Sequence, residues 1–305
     1  MLYTSTLSNK ASNPSSAQGE AVPRWGQERR LEFIDFRLLW EGRINRAEIV
    51  DFFGISIQQA SLDLARYMQA APANLVYDKS EKVYRATDKF KAAFTNSQSQ
   101  AFLNQLLAIT TGTLNPTQAF MGWKPPCDVV QFPARTIHPE VLIRLLWAIR
   151  DREALEVTYQ SMRRPTATRR WIAPHAVAFD GSRWHARAWC FEHSEFRDFV
   201  FARVQQIHRA RPSDIDSQSD THWHRYTKVI IHPRSELTPE QKAAVETDFG
   251  MVDGRLEVPI REALVFYFVR HLQLGWEGEP QKRGQPIEWV NEAELRPLLL
   301  EAIKK

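Results

Sequence analysis

The densest run of residues that could bind an anion lies at 181–189, which reads GSRWHARAW. In a β-strand, alternate side chains point to opposite faces, so Arg183, His185 and Arg187 share one face and the apolar residues Trp184, Ala186 and Ala188 lie on the other. Two guanidinium groups and an imidazole on one face repel each other unless an anion or open water lies beside them. The pattern predicts a site for a nucleotide or oligonucleotide phosphate, with a solvated sheet face of chance spacing as the alternative.

Neighbouring strands offer further polar side chains. The same alternation puts Tyr159 and Ser161 on one face of an earlier strand and Arg203 on one face of the last strand, and His175 could join them. Residues 141–212 contain thirteen Arg, no Lys and seven acidic residues, a net charge of +6, whereas the whole chain carries +4. Because the planar guanidinium group suits phosphate and carboxylate, this composition favours an anion receptor over an ordinary charged surface.

A second set of polar side chains is spaced for reading DNA from one face of a helix. The helix is predicted to begin after Ser56 and to bury a stripe of Ile57, Ala60, Leu64 and Tyr67. Its exposed side also includes Leu62. Gln pairs with adenine edges in the major groove, and Ser or a small apolar group meets other bases or a thymine methyl. The candidates for base contacts are Ser56, Gln58, Gln59, Ser61 and Arg66.

Basic residues around this helix are candidates for phosphate contacts, which set register without reading sequence. Arg43 and Arg46 lie at the preceding helix, and Lys79 and Lys82 lie at the tip of a predicted hairpin. Residues 24–91 contain twelve basic and ten acidic residues, a net charge of only +2. Because so small a charge contributes modestly to DNA affinity, we expect two copies to bind a palindromic site.

The elements that must hold the DNA-reading helix are two further helices. Apolar residues recur at helical spacing over residues 27–40. Asn45 followed by Glu48 predicts the capping box of a short second helix, and Ser56 followed by Gln59 predicts the capping box of the third. Two short helices joined by a glycine-containing turn, after a longer helix, indicate a helix-turn-helix.

A hairpin completes the first domain. Two β-prone runs, residues 75–77 and 83–85, flank a polar turn, which is typical of the wing of a winged helix-turn-helix. A small helical domain that binds protein instead of DNA is the alternative.

Residues 1–23 are rich in Ser and Asn and lack an apolar core, so we expect a disordered arm there.

Beyond residue 95, connectors alternate with β-rich and mixed segments. The region before residue 140 is rich in Pro, which favours extended chain, although residues 101–109 are an apolar helix candidate. A helix at 139–150 leads into four or five short strands, which predict a small antiparallel barrel. The predicted domains are an arm at 1–23, a winged helix-turn-helix at 24–95, a linker at 96–140, a β-rich domain at 141–212, a linker at 213–224 and an α+β domain at 225–305.

Composition excludes several classes of protein and site. The chain has 43% hydrophobic and 25% charged residues, which is typical of globular domains. Cys127 and Cys190 alone form no disulfide framework or four-cysteine zinc site, so we expect a reducing cytoplasm. No apolar run is long enough to cross a membrane. His222, His224 and His232 lack carboxylate or Cys partners at recognisable spacing, and no catalytic motif occurs, so we expect no metal, no cofactor and no enzyme.

Several motifs together resemble the WYL domain. They are YQS at 159–161, PH at 174–175, GSRWHAR at 181–187 and the strand at 196–203. From about residue 25 onward, the chain resembles the WYL-domain transcriptional regulators found beside bacterial phage-defence islands, the BREX-associated and CBASS-associated repressors. The tripeptide that gives the domain its name is Trp184-His185-Ala186 here, instead of Trp-Tyr-Leu.

The resemblance implies an α+β multidomain protein with an N-terminal winged helix-turn-helix, an Sm-like β-barrel WYL domain and a C-terminal α+β WCX-type dimerisation domain. It implies a homodimeric repressor that binds an inverted repeat upstream of phage-defence genes and senses a nucleic-acid fragment or nucleotide. The pocket positions that it implies are Tyr159, Ser161, His175, Arg183, His185, Arg187 and Arg203. A nuclease or nucleotide-processing enzyme using the same Arg and His cluster is the alternative.

Overall fold

The computed structural model describes residues 24–130, 133, 135–275 and 284–304. The chain divides into two compact units between residues 132 and 133. The arm predicted at residues 1–23 lies outside the described residues.

The first unit is a winged helix-turn-helix. Its elements are α1 (Arg24–Glu41), β1 (Arg43–Ile44), α2 (Arg46–Phe53), α3 (Ile57–Ala70), β2 (Leu75–Asp78) and β3 (Val83–Ala86). The three strands form an antiparallel sheet in the order β1-β3-β2. The predicted order of three helices and a hairpin is therefore confirmed. Strand β1 has only two residues and was absent from the prediction, because so short a run has no periodicity to detect.

Capping determines where α2 and α3 begin. The Asn45 side chain accepts a hydrogen bond from the backbone N–H of Glu48, and the Glu48 carboxylate accepts one from Asn45, so the predicted capping box of α2 is present. At α3 only half of the predicted box forms. Ser56 accepts a hydrogen bond from the backbone of Gln59, whereas the Gln59 amide donates to Asp63.

The buried side of α3 matches the prediction at three positions and departs from it at one. Ala60, Leu64 and Tyr67 are fully buried in the core of the first unit. The prediction for Ile57 is wrong, because 59% of this residue is exposed. Ile57 is the first residue of the helix, so no preceding turn shields its side chain.

The Pro-rich segment after the wing contains the predicted helix, α4 (Ser99–Thr110), and a 3-10 turn at Pro116–Gln118. Leu106 of α4 and Phe120 after the turn are buried in the same core cluster as α1 and α3. This part of the segment assigned to a linker therefore packs into the first unit instead of forming extended chain.

The second unit opens with α5 (Pro139–Asp151), followed by β4 (Glu153–Tyr159), β5 (Thr168–Phe179), β6 (Trp184–Cys190), β7 (Glu195–Val200) and β8 (Val204–Pro212). Val141, Leu145 and Ala148 of α5 are buried as predicted, in one cluster with the sheet. The strand predicted at 196–204 is divided between β7 and β8 by a 3-10 turn, Phe201–Arg203. The sheet order is β7-β6-β5-β4-β8, with β7 and β8 at its edges, so a closed barrel is not shown.

The remaining elements form the predicted α+β part of the second unit. They are α6 (Thr221–His224), β9 (Tyr226–Pro233), α7 (Pro239–Phe249), β10 (Leu256–Arg261), a 3-10 turn (Glu262–Leu264), α8 (Val265–His271), β11 (Ile287–Trp289) and α9 (Glu292–Lys304). The three strands pair antiparallel in the order β10-β9-β11. Within the described part of the chain, no helix is both long and apolar enough to span a membrane.

Candidate functional site

The outward side of α3 carries the candidates for base contacts. They differ in whether their polar atoms are already hydrogen-bonded within the first unit. Gln58 is exposed, and its side chain has no hydrogen-bond partner among the described residues. The Gln59 amide donates to Asp63 Oδ1 at 3.1 Å. The Ser61 hydroxyl donates back to the Ile57 carbonyl at 2.8 Å. Gln58 is therefore the least constrained candidate of these three.

Asp63 is the residue of α3 that sequence reasoning missed. Its side chain is fully buried and lies 2.6 Å from the Arg30 Nε on α1, whose side chain is 6% exposed. Arg66, 46% exposed, also lies 3.7 Å from Asp63. Because a buried carboxylate without a partner is costly, the Asp63–Arg30 pair fixes how α3 sits on α1. An acidic residue beside a predicted apolar stripe is the sequence signal that could have indicated such a pair.

The candidates for phosphate contacts are all exposed. Arg43 lies in β1, Arg46 begins α2, and Lys79 and Lys82 lie in the turn of the wing. Asp78 organises this turn by accepting hydrogen bonds from Ser80, the Glu81 backbone and Arg85. The hydrogen bond from Ser80 is the first of the contacts that lower the pKa of Asp78 below its usual range. These contacts stabilise the turn at the wing tip, where both lysines are exposed.

The second unit contains an arginine-lined cavity of about 240 Å³. It lies between strands β4 to β7 and the α+β elements that carry Glu262, Tyr267 and Glu301. Five of its lining residues are Arg163, Arg170, Arg187, Arg197 and Arg203. Of the predicted ligand residues, the cavity brings together Tyr159, Ser161, Arg187 and Arg203. It does not include His175, Arg183 or His185.

Arg187 forms the buried end of this cavity. The residue is 3% exposed, and its guanidinium donates two hydrogen bonds to Asp220, at 2.7 and 2.9 Å. It also donates to Asp198 at 3.3 Å. Burial acts to lower the pKa of Arg187, but Asp220 and Asp198 outweigh it, and the pKa is raised. His175 Nε2 lies 2.9 Å from the same Asp220 carboxylate, so His175 contributes to the network behind the cavity.

The other predicted cations face a different carboxylate. Asp180 Oδ2 lies 3.0 Å from Arg183 Nε and 2.8 Å from His185 Nε2. The negative charge beside Arg183, His185 and Arg187 comes from the protein itself, because Asp180, Asp198 and Asp220 contact these cations. No bound phosphate is needed to offset their mutual repulsion. These carboxylates come from a turn, another strand and the segment before α6, so strand alternation alone could not reveal them.

Arg170 is a cavity residue that sequence reasoning missed. Its side chain is 5% exposed and pairs with Glu192 at 3.2 Å. The buried Nε has no hydrogen-bond partner among the described residues. Its guanidinium lies 5.7 Å from the ring centroid of Tyr159, which also lines the cavity. A buried, unpaired N–H is costly, so this atom lacks the hydrogen bond that compensates most buried donors. The all-Arg composition was the sequence signal for such residues.

Potential metal ligands occur together once among the described residues. Ligand atoms of Cys190, Glu192 and His193 lie within 4.8 Å of one another. Glu192 is already held by Arg164 at 2.7 Å and Arg170 at 3.2 Å. The surrounding positive charge opposes cation binding.

An exposed recognition helix, a wing and a following arginine-lined sheet define the class of this protein as a multidomain winged-helix transcriptional regulator. The family model of the BrxR transcriptional regulator winged helix-turn-helix domain matches residues 26–108. The WYL domain model matches residues 140–209, and the BrxR C-terminal dimerization domain model matches residues 226–295.

Similar proteins match this chain over most of its length and most of their own. The DNA-binding transcriptional repressor CapW of Stenotrophomonas maltophilia is 44% identical over 261 residues, which cover 85% of this chain and 87% of that protein. CapW of Escherichia coli (strain KTE188) is 41% identical over 85% of this chain and 87% of its own. CapW of Pseudomonas aeruginosa is 38% identical over 93% of this chain and 95% of its own. The chain belongs to the BrxR/CapW family of WYL-domain transcriptional regulators.

Proposed function

We propose that this protein is a DNA-binding transcriptional repressor that binds an inverted repeat as a homodimer and controls a phage-defence operon. The observation that carries the proposal is the winged helix with an exposed α3, in a chain 38–44% identical to repressors named CapW. The match to a dimerization domain over residues 226–295 supports the homodimer. A two-fold symmetric protein binds two half-sites, which accounts for an inverted repeat.

DNA binding is tested with the DNA upstream of the protein's own gene. We expect a protected inverted repeat in footprinting and a gel shift that excess unrelated DNA does not abolish. Gln58→Ala removes a side chain suited to an adenine edge, so it should weaken binding by about 1–3 kcal/mol per half-site and relax specificity at one position of each. Equal binding to all sequences would overturn the proposal.

We further propose that a nucleic-acid fragment or a nucleotide binds the arginine-lined cavity and changes the affinity for the operator. Two donors support an anionic ligand. Arg170 Nε is buried without a partner, and the Arg203 side chain has no hydrogen bond among the described residues. Guanidinium groups suit phosphate because they donate parallel hydrogen bonds. Tyr159 offers an aromatic ring beside them.

The contacts of Arg187 would couple ligand binding in the cavity to the affinity for the operator. An anion that reaches Arg187 competes with Asp220 and Asp198 for the same donors. Asp220 also caps α6 by accepting a hydrogen bond from the Trp223 backbone, and Tyr267 of α8 donates to Asp198. Ligand binding would therefore alter contacts between the sheet and the α+β elements of the second unit.

The cavity is tested with a matched pair of substitutions. Arg203→Ala removes a donor that lines the cavity, whereas Arg183→Ala removes an arginine paired with Asp180 outside it. We expect both variants to bind operator DNA like the wild type, and only Arg203→Ala to lose the response to an added 5′-phosphorylated oligonucleotide. Loss of the response in both variants, or in neither, would contradict the assignment of the cavity.

We propose a cytoplasmic regulator without enzymatic activity, since the relatives are named as repressors. Incubation with labelled DNA, RNA and nucleotides, with and without divalent metal, should return the substrates unchanged. Any turnover that Arg187→Ala abolishes would instead favour a nuclease or nucleotide-processing enzyme.

A further inference from the structure

The centre of the outward face of α3 is occupied by a leucine. Leu62 is 53% exposed in a helix whose opposite side, Ala60, Leu64 and Tyr67, is fully buried. At 100° per residue, Leu62 lies about 165° around the helix from the middle of that buried stripe, and about 40° from Gln58. Leu62 and Gln58 therefore project together, one turn apart, from the side of α3 that faces solvent.

The polar neighbours of Leu62 are held by contacts within the first unit. Gln59 and Arg66 are drawn towards the buried carboxylate of Asp63, and the Ser61 hydroxyl is bonded to the Ile57 carbonyl. The side chains of Gln58 and Leu62, in the first half of the outward face, make no such bond. An exposed leucine is ordinary on a protein surface, but here it lies in the middle of the helix that enters the major groove.

We infer that Leu62 is a specificity-determining residue that contacts the methyl group of a thymine in each operator half-site. Among the base edges in the major groove, only thymine presents an apolar group, which is the chemistry that an aliphatic side chain recognises. Gln58, one turn earlier, is suited to the N6 and N7 atoms of adenine. Four residues of helix advance about 6 Å, so the two contacts fall about two base steps apart.

This inference rests on the proposed operator binding and makes it more specific. It states that α3 reads A·T pairs, with the methyl group of one thymine per half-site recognised by Leu62. Removal of that one methyl group from the interface should weaken binding about fourfold per half-site.

The test uses the full chain and the footprinted operator fragment from upstream of its own gene. Each thymine of the half-site is replaced in turn by deoxyuridine, which removes only the methyl group. For the wild type we expect one position per half-site at which the replacement weakens binding about fourfold. Leu62→Ala should bind the unmodified operator about fourfold more weakly per half-site and should no longer distinguish thymine from deoxyuridine at that position.

The matched control is Leu103→Ala, which truncates a leucine that is 50% exposed on α4 of the same unit. It should bind like the wild type and keep the full preference for thymine. Ala is the better helix former, so both variants should unfold at the wild-type temperature or above. Specific binding that is indifferent to every methyl group, or a Leu62→Ala variant that keeps the preference, would overturn the inference while leaving the repressor proposal intact. Absence of any footprint would overturn both.

Discussion

At the scale of single residues, buried aspartates organise both candidate sites. The side chains of Asp63, Asp180 and Asp220 are at most 4% exposed, and each holds at least one cation. Removing one partner of a buried ion pair such as Asp63–Arg30 or Asp220–Arg187 costs about 3–5 kcal/mol, because the other charge is left without compensation. Each aspartate therefore fixes the direction in which its cationic partner points, which local sequence does not reveal.

Asp180 should make the stability of the second unit depend on pH. Burial acts to raise the pKa of Asp180, but hydrogen bonds from His185 and from the backbone of Ser182 and Arg183 outweigh it and lower the pKa to about 2. Because the folded pKa lies below the unfolded value of 3.8, the stabilisation is present above about pH 4 and is lost as pH falls through about 2. We expect Asp180→Asn to lower the free energy of unfolding by about 1–3 kcal/mol at neutral pH.

Urea unfolding followed by tryptophan fluorescence between about pH 3 and pH 6 checks this expectation. The free energy of unfolding of Asp180→Asn should fall less steeply towards acid than that of the wild type. Asp214→Asn, at an exposed position, is the control and should keep the wild-type dependence. An Asp180→Asn variant with an unchanged acid dependence would show that Asp180 does not have a lowered pKa.

At the scale of elements, the one-turn helix α6 connects the sheet to the α+β part of the second unit. Asp220 immediately before α6 binds Arg187 and His175 of the sheet. His222 within α6 lies 2.9 Å from Glu262 of the 3-10 turn and 3.1 Å from Glu301 of α9. The segment predicted as a connector at 213–224 thus carries side chains that hold the surrounding elements.

Asp220→Asn should strengthen anion binding in the cavity. Asn keeps the ability to cap a helix but removes the negative charge that competes for Arg187. Because a hydrogen bond to a charged group is worth about 1.5–3 kcal/mol, we expect about tenfold tighter binding of a 5′-phosphorylated dinucleotide in isothermal titration calorimetry. Asp216→Asn, which alters the exposed cap of the neighbouring 3-10 turn, is the control and should titrate like the wild type. Weaker binding by Asp220→Asn would rule out competition.

At the scale of the whole molecule, a homodimer doubles every contact with DNA. The net charge of the chain is only +4, and the excess lies mainly in residues 141–212, so we expect the first unit to make few phosphate contacts. Each protomer would contribute one recognition helix and one wing to an inverted repeat. Both the strength of binding and its dependence on salt then follow the number of phosphates contacted by two copies together.

Lys79→Ala should remove about two phosphate contacts from the dimer, one per protomer. Operator binding should therefore depend less steeply on salt. The slope of log K against log salt should fall by about 1.8, and affinity should drop by similar factors on operator and unrelated DNA. Titrations at several salt concentrations measure the slope. Lys242→Ala, on α7 of the second unit, should keep the wild-type slope. A change of about 0.9 would indicate that only one wing contacts DNA.

Local sequence determined the elements of this protein. Capping residues such as Asn45 and the apolar stripe of α5 depend on neighbours a few positions away, so their patterns predicted helices and strands closely. Tertiary structure alone decided which arginines share a cavity and which carboxylates oppose them. Arg187 and Asp220 are separated by 33 residues, and the pairing of such buried charges depends on how distant segments pack. For the same reason the contacts of Asp63 with Arg30 and Gln59 could be identified only from the folded chain, and they limit which side chains of α3 remain available for DNA.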